Sequence, residues 1–216
     1  MSTQQAALEN LRVIRSLMEK AHIYRAVSGQ AAVFGGLMAV VYATRQGLIT
    51  TKAGALSAEE LFLSGWLSQL LAVAVFNGVT LYREARRRGQ PFVSQGMKTA
   101  LRALLPPLLV GGVVGIGLVV YLHNLVLAAL VWILCYGLAL LATASFSPRS
   151  LVRLGWAFVI SGLALFLVWA SNGDIRLLTD DLAPASLAMG LTFGLLHLVY
   201  GIAVLAGKKP EPLPAE

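Results

Sequence analysis

The stretch Tyr82-Arg83-Glu84-Ala85-Arg86-Arg87-Arg88-Gly89-Gln90-Pro91 separates two long apolar runs. With Lys98 and Arg102 it carries six of the seventeen Lys and Arg residues of the chain. Charge of that density does not cross hydrocarbon cheaply, so the stretch fixes one loop on the cytoplasmic side of a membrane, and every other segment takes its side by alternation. Arg12, Arg15, Lys20 and Arg25 before the first run, Arg149 and Arg153 before the fifth, and Lys208 and Lys209 after the last fall on that same side. Fourteen cations thus face Arg45, Lys52 and Arg176 on the other side. The positive-inside bias predicts six spans with both termini cytoplasmic. Tyr42, Tyr121 and Trp169 fall at outer ends and Tyr24, Tyr82 and Trp156 near inner ends, where an aromatic belt belongs.

Composition agrees with a bilayer as solvent. The 216 residues are 57% apolar and 12% charged, about half the charge of a soluble domain, which carries about 25%. Twenty-one glycines suit close helix packing in lipid. A net charge of +7 invites a nucleic-acid reading, but the cations sit in the loops of one side without aromatic interleaving or a recognition helix, so no nucleic-acid partner is expected. The single cysteine, Cys135, lies in mid-run; it can form no internal disulfide and no CxxC site. No basic n-region leads directly into the first apolar run, which is therefore read as a retained span rather than a signal peptide.

The chain divides into an amphipathic N-terminal helix (residues 1–25), a six-helix transmembrane domain (26–206) and a short cytoplasmic tail (207–216). The spans are expected near 26–44, 61–82, 103–122, 125–145, 154–170 and 183–206, each close to the ~20 residues that cross hydrocarbon. Ser57-Ala58-Glu59-Glu60 is a capping box opening the second. Ser147-Pro148 predicts a serine N-cap before a first-turn proline ahead of the fifth. Pro106-Pro107 is expected in the first turns of the third, where missing donors cost little. Tyr136-Gly137-Leu138, Tyr200-Gly201-Ile202 and Asn77-Gly78-Val79 occupy corresponding places in the even spans, and Gly35-Gly36-Leu37 echoes Ser161-Gly162-Leu163 in odd ones. Such echoes suggest three helical hairpins of like orientation.

Few residues in the spans carry chemistry. Gly190, Gly194, His197 and Gly201 recur at helical spacing, so the glycines should form a packing face with His197 in the interface beside them. An ionisable residue at that depth is a functional candidate by default; the structural alternative is a neutral imidazole tying two spans together. With Tyr200, Asn77 and Tyr136 it defines a candidate cavity in the cytoplasmic half. Gly111 and Gly115 form a GxxxG pair, a packing face within the bundle or between copies. Arg83, Arg86, Arg87 and Arg88 are candidates for contact with a partner protein or lipid headgroups. No span core holds Asp, Glu, Lys or Arg, which argues against an ion-coupled pump. The sequence has no HExxH, no GxSxG, no CxxC and no paired carboxylates within a span, which argues against an enzyme. His22 and His123 fall at opposite membrane faces, so no haem pair converges with His197, and no cofactor or metal is expected. Asp174, Asp180 and Asp181 are read as a solvated outer loop.

Leu11-Arg12-Val13-Ile14-Arg15-Ser16-Leu17-Met18-Glu19-Lys20 leading into a Ser28-Gly29 span, Leu105-Pro106-Pro107-Leu108-Leu109-Val110-Gly111-Gly112 after the basic loop, and the closing Leu195-Leu196-His197-Leu198-Val199-Tyr200-Gly201-Ile202 together resemble a group of small, uncharacterised bacterial six-span membrane proteins. The resemblance implies a six-helix fold in the bacterial inner membrane and brings no activity with it. Three classes of function remain. The first is a non-catalytic accessory, sensor or assembly subunit that binds another membrane protein or itself. The second is a small permease built around His197, and the third an intramembrane enzyme.

Overall fold

The computed structural model describes residues 5, 27–48, 56–87, 89, 92–93, 95–172 and 182–207. Among these residues there are six helices and no strand: α1 (Gly29–Leu48), α2 (Ala58–Arg87), α3 (Gln95–Leu122), α4 (Leu125–Ala142), α5 (Arg149–Ser171) and α6 (Leu182–Ala206). The last contains a π-helical stretch, Gly190–Leu196, between two α-helical pieces. Helices α2 to α6 are long and apolar enough to cross a membrane. Helix α1 is not among them, because Gln30, Thr44, Arg45 and Gln46 dilute its twenty residues. The amphipathic N-terminal helix, the outer acidic loop and the tail expected from sequence lie outside the described residues, as does Arg88.

Local chemistry sets most helix ends. The Ser57 amide donates to Glu60 Oε2 at 2.8 Å, and the Glu60 amide donates to Ser57 Oγ at 3.2 Å, the reciprocal bonds of a capping box. Asn124 caps α4 by accepting from the Leu127 amide at 2.8 Å, and His123, with φ of 49°, turns the chain sharply between α3 and α4. Two expectations are corrected. Pro148, not Ser147, is the N-cap of α5, and the Ser147 hydroxyl donates instead to Thr143 Oγ1 at 2.8 Å. Pro106-Pro107 lies inside α3 rather than in its first turns, because that helix begins at Gln95, within the stretch read as a loop. At ~1.5 Å per residue, the 30 residues of α2 and the 28 of α3 reach roughly 45 and 42 Å, beyond the ~30 Å of hydrocarbon.

The innermost helices are α4 and α6. Of the most apolar eighteen-residue stretch in each, 50% is buried, against 11% in α2 and 17% in α3; the bare apolar surface of α2 and α3 is of the kind that suits contact with lipid. Two seams share one construction. Between α4 and α5, a Cβ on Gly137 would stand 3.0 Å from the Gly155 carbonyl oxygen, and one on Gly162 would stand 2.7 Å from Leu134. Between α6 and α1, a Cβ on Gly201 would stand 2.8 Å from the Gly29 carbonyl oxygen, and one on Gly36 would stand 2.8 Å from Leu198. Both seams are antiparallel, and the spacings within them match residue for residue: three between leucine and glycine on one helix, seven between the glycines of the other. Gly78 and Gly112, on α2 and α3, have nothing within 4 Å of where a Cβ would lie.

These distances order the glycines by cost. Gly201→Ala forces a methyl against main chain that cannot turn aside, and we expect it to destabilise the protein by about 1–3 kcal/mol. Gly112→Ala meets open space and gains helix propensity of up to ~1 kcal/mol. Thermal unfolding in detergent should show a lower Tm for the first and an unchanged or higher Tm for the second; the reverse order would contradict this packing.

Candidate functional site

The polar centre of the bundle is His197, the first residue after the π-helical stretch of α6. Its backbone amide bonds to the Gly194 carbonyl, while its Nδ1 lies 3.0 Å from the Phe193 carbonyl oxygen. A carbonyl only accepts, so Nδ1 carries the proton. In the neutral ring Nε2 is then the acceptor, and the Tyr136 hydroxyl of α4 donates to it at 2.8 Å. Tyr136, Phe158 of α5 and Phe193 of α6 surround the imidazole with ring centroids 5.4, 5.3 and 6.0 Å away. They also pack on each other at 4.8–5.0 Å. Both nitrogens are satisfied and His197 is 8% exposed, so the neutral tautomer fits the box. A protonated ring would turn Nε2 into a donor and require the Tyr136 hydroxyl to accept.

The four cavity candidates form two hydrogen-bonded sets. His197 and Tyr136 join α6 to α4. The Tyr200 hydroxyl donates to the Val27 carbonyl at 3.1 Å, and Asn77 Oδ1 accepts from the Ser28 amide at 3.0 Å. Both contacts hold the start of α1, where Ser28 Oγ also accepts from the Ala31 amide at 3.1 Å. The glycines of α6 form one packing face, as their spacing implies, but His197 does not share it. Gly190 faces Ala43, Gly194 faces Val40 and Gly201 faces Val33, all on α1, whereas His197 faces α4 and α5. A π-helical turn closes i→i+5 bonds and holds more residues than an α turn, so the residue after it is rotated off the glycine face. Gly111 packs on Cys135 and Gly115 on Trp132, both of α4; the GxxxG pair is an intrabundle face.

Phe158 and Phe193 were not singled out in the sequence, where an apolar phenylalanine in a span carries no mark, and the π-helical stretch has no signature there either. Three buried side-chain atoms among the described residues have no protein partner: Trp66 Nε1 and Gln69 Oε1 on α2, and Ser186 Oγ on α6. Outside the hydrophobic layer, His123 Nδ1 lies 3.2 Å from Glu59 Oε1, linking the α3–α4 turn to the start of α2. At the other end of α2, Arg83, Arg86 and Arg87 lie with Val79 and Tyr82 along one open side of the helix. Groups of three or more metal-ligating side chains do not occur among the described residues.

Compared with known proteins, the chain matches no family model, no curated protein and no solved structure.

Removing the Tyr136 hydroxyl leaves a buried imidazole acceptor unpaired. Such a loss costs about 1–3 kcal/mol in water-soluble cores, and the average of ~0.6 kcal/mol for interhelical bonds in membranes places the expectation near 1 kcal/mol. Tyr136→Phe should lower the Tm, and combining it with His197→Phe should cost less than the two losses added. Additive losses in that double-mutant cycle would mean that the hydrogen bond contributes nothing.

Proposed function

We propose that the chain is a six-span integral protein of the bacterial cytoplasmic membrane with both termini inside, and that it acts without catalysis, as an accessory, sensor or assembly subunit for another membrane protein. Helix α1 crosses as the sixth span because it lies antiparallel along α6 over its whole length, from Gly29 against Gly201 to Ala43 against Gly190. The small residues of α1 on that side, Ala32, Gly36, Ala39 and Ala43, are buried against it. The charge asymmetry then sets the orientation, with the three hairpins α1–α2, α3–α4 and α5–α6 entering from the same side.

One observation carries the functional reading. The polar side chains that a transport cavity would need are engaged in joining helices: Tyr136 with His197, Tyr200 with Val27, Asn77 with Ser28. The unengaged surface lies instead on α2 and α3, whose apolar faces are bare and whose cytoplasmic ends are basic. A partner span fits against the exposed apolar face of α3 that carries Leu105, Leu109 and Val113. The permease reading draws on those same polar side chains, and the His197 ring has a satisfied neutral form inside its aromatic box.

Tagged protein taken from its native membrane in mild detergent and read by native mass spectrometry should carry a second polypeptide in fixed stoichiometry. That polypeptide should dissociate from a variant with Leu105, Leu109 and Val113 changed to Ala, and it should persist in His197→Ala. A lone chain that retains a small solute, and loses it in His197→Ala, would replace this reading with the permease. Single cysteines at positions 3 and 214, in a Cys135→Ala background, should react with impermeant reagent only from the cytoplasmic side; labelling of either from outside would refute the orientation.

A further inference from the structure

Between α2 and α3 the bundle is open along a line where its two comparable seams are closed, and we propose that this opening is a binding site for an anionic phospholipid. In the closed seams a glycine of one helix lies on the main chain of the next, Gly137 on Gly155 and Gly201 on Gly29. Gly78 of α2 holds the corresponding place in the sequence echo, and it has no neighbour. Neither has Gly112 of α3, which follows Gly111 as Gly36 follows Gly35. The two helices are joined at the inner end, where Tyr82 of α2 meets the ring of Phe92 in the connection at 5.5 Å. Above that point each turns an apolar face to the opening.

The side chains along the opening are graded as a phospholipid is graded. Leu71, Val75, Val79 and Tyr82 recur at intervals of four, four and three on α2, and they are 67%, 57%, 43% and 46% exposed. From Leu71 to Tyr82 the helix rises about 16 Å at ~1.5 Å per residue, the depth of one leaflet in a hydrocarbon layer of roughly 30 Å. The stripe runs directly into Arg83, Arg86 and Arg87, which lie on the same open side of α2 as Val79 and Tyr82. On the α3 side Lys98 and Arg102 are both exposed. Glu84 is the one acidic residue between Tyr82 and Arg102, so the mouth stays positive. Guanidinium groups present paired donors that match the two free oxygens of a phosphodiester. An acyl chain on the stripe places that phosphate at the arginines. A transmembrane helix would fill the apolar length equally well and leave the arginines without a counter-charge. The site rests on the membrane-spanning reading of α2 and α3, and it stands whether or not a protein partner is found.

The test uses the purified full chain in a delipidating detergent, titrated with phosphatidylglycerol or phosphatidylcholine of the same acyl chains and read by native mass spectrometry. Phosphatidylglycerol should bind at least tenfold more tightly. The preference should fall by roughly fivefold for each arginine neutralised in Arg83→Gln, Arg86→Gln and Arg87→Gln. Neutralising Arg149 and Arg153 should leave it unchanged. Inorganic phosphate at millimolar concentration should not displace the lipid. Equal binding of the two lipids, a preference that survives the triple substitution, displacement by phosphate (a free-anion site) or lipid-free dimers that exclude phosphatidylglycerol (a second copy in the seam) would each overturn the proposal. The wild-type comparison and the phosphate competition decide the matter even if the triple variant fails to fold.

Discussion

The approach of α6 to α1 is the contact on which the rest of the bundle depends. In lipid no hydrophobic effect drives one helix onto another, so association falls to close packing and to hydrogen bonds between helices. Helix α1 alone of the six has no stretch apolar enough to cross a membrane by itself, and it has the most to gain from packing. The glycines of α6 cover it: Gly190, Gly194 and Gly201 let the α1 main chain come within reach of a methyl group's radius over four turns. Tyr200 and Asn77 then fasten its first residues, bonding to Val27 and Ser28 from α6 and α2. A helix that would enter a bilayer poorly by itself is thereby held on two sides by groups that need its backbone.

That same approach accounts for the setting of His197. An α-helical α6 with glycines every third or fourth residue would carry the imidazole on the glycine face, into a gap with no room for a ring. The π-helical stretch turns it away toward α4 and α5. There Tyr136 and the Phe193 carbonyl bond both nitrogens, while Phe158 and Phe193 cover the ring. Bulges of this kind occur frequently at functional sites. Here the bulge reconciles two demands of one helix, a bare face for α1 and a bonded imidazole for α4.

What the sequence made legible follows from the strength of each physical signal. Hydrophobic length and glycine content are coarse, and they located every helix from α1 to α6. The capping box at Ser57 was readable because both of its bonds are local to four residues. Ser147 misled because its hydroxyl has a competing partner one turn back, Thr143, which only the fold reveals. Pro106-Pro107 misled because proline marks a first turn only where a helix is known to start, and α3 starts eleven residues earlier. The candidate site was legible as residue types, not as geometry. His197 and Tyr136 do meet, but Tyr200 and Asn77 bond to α1 backbone groups that have no side-chain signature.

The open α2–α3 seam has a cause that can be read in α3 itself. Each closed seam needs two small residues seven apart on the receiving helix: Gly29 and Gly36 on α1, Gly155 and Gly162 on α5. On α3 the residue seven before Gly112 is Leu105, followed at once by Pro106 and Pro107. A leucine where the other helices have glycine removes the pair of small residues that a close approach needs, and Leu105 is left exposed. Gly78 therefore has no close main chain to meet, although α2 carries it in the right place. Two seams close on glycine pairs, and the third, which lacks one, stays open between exposed apolar side chains.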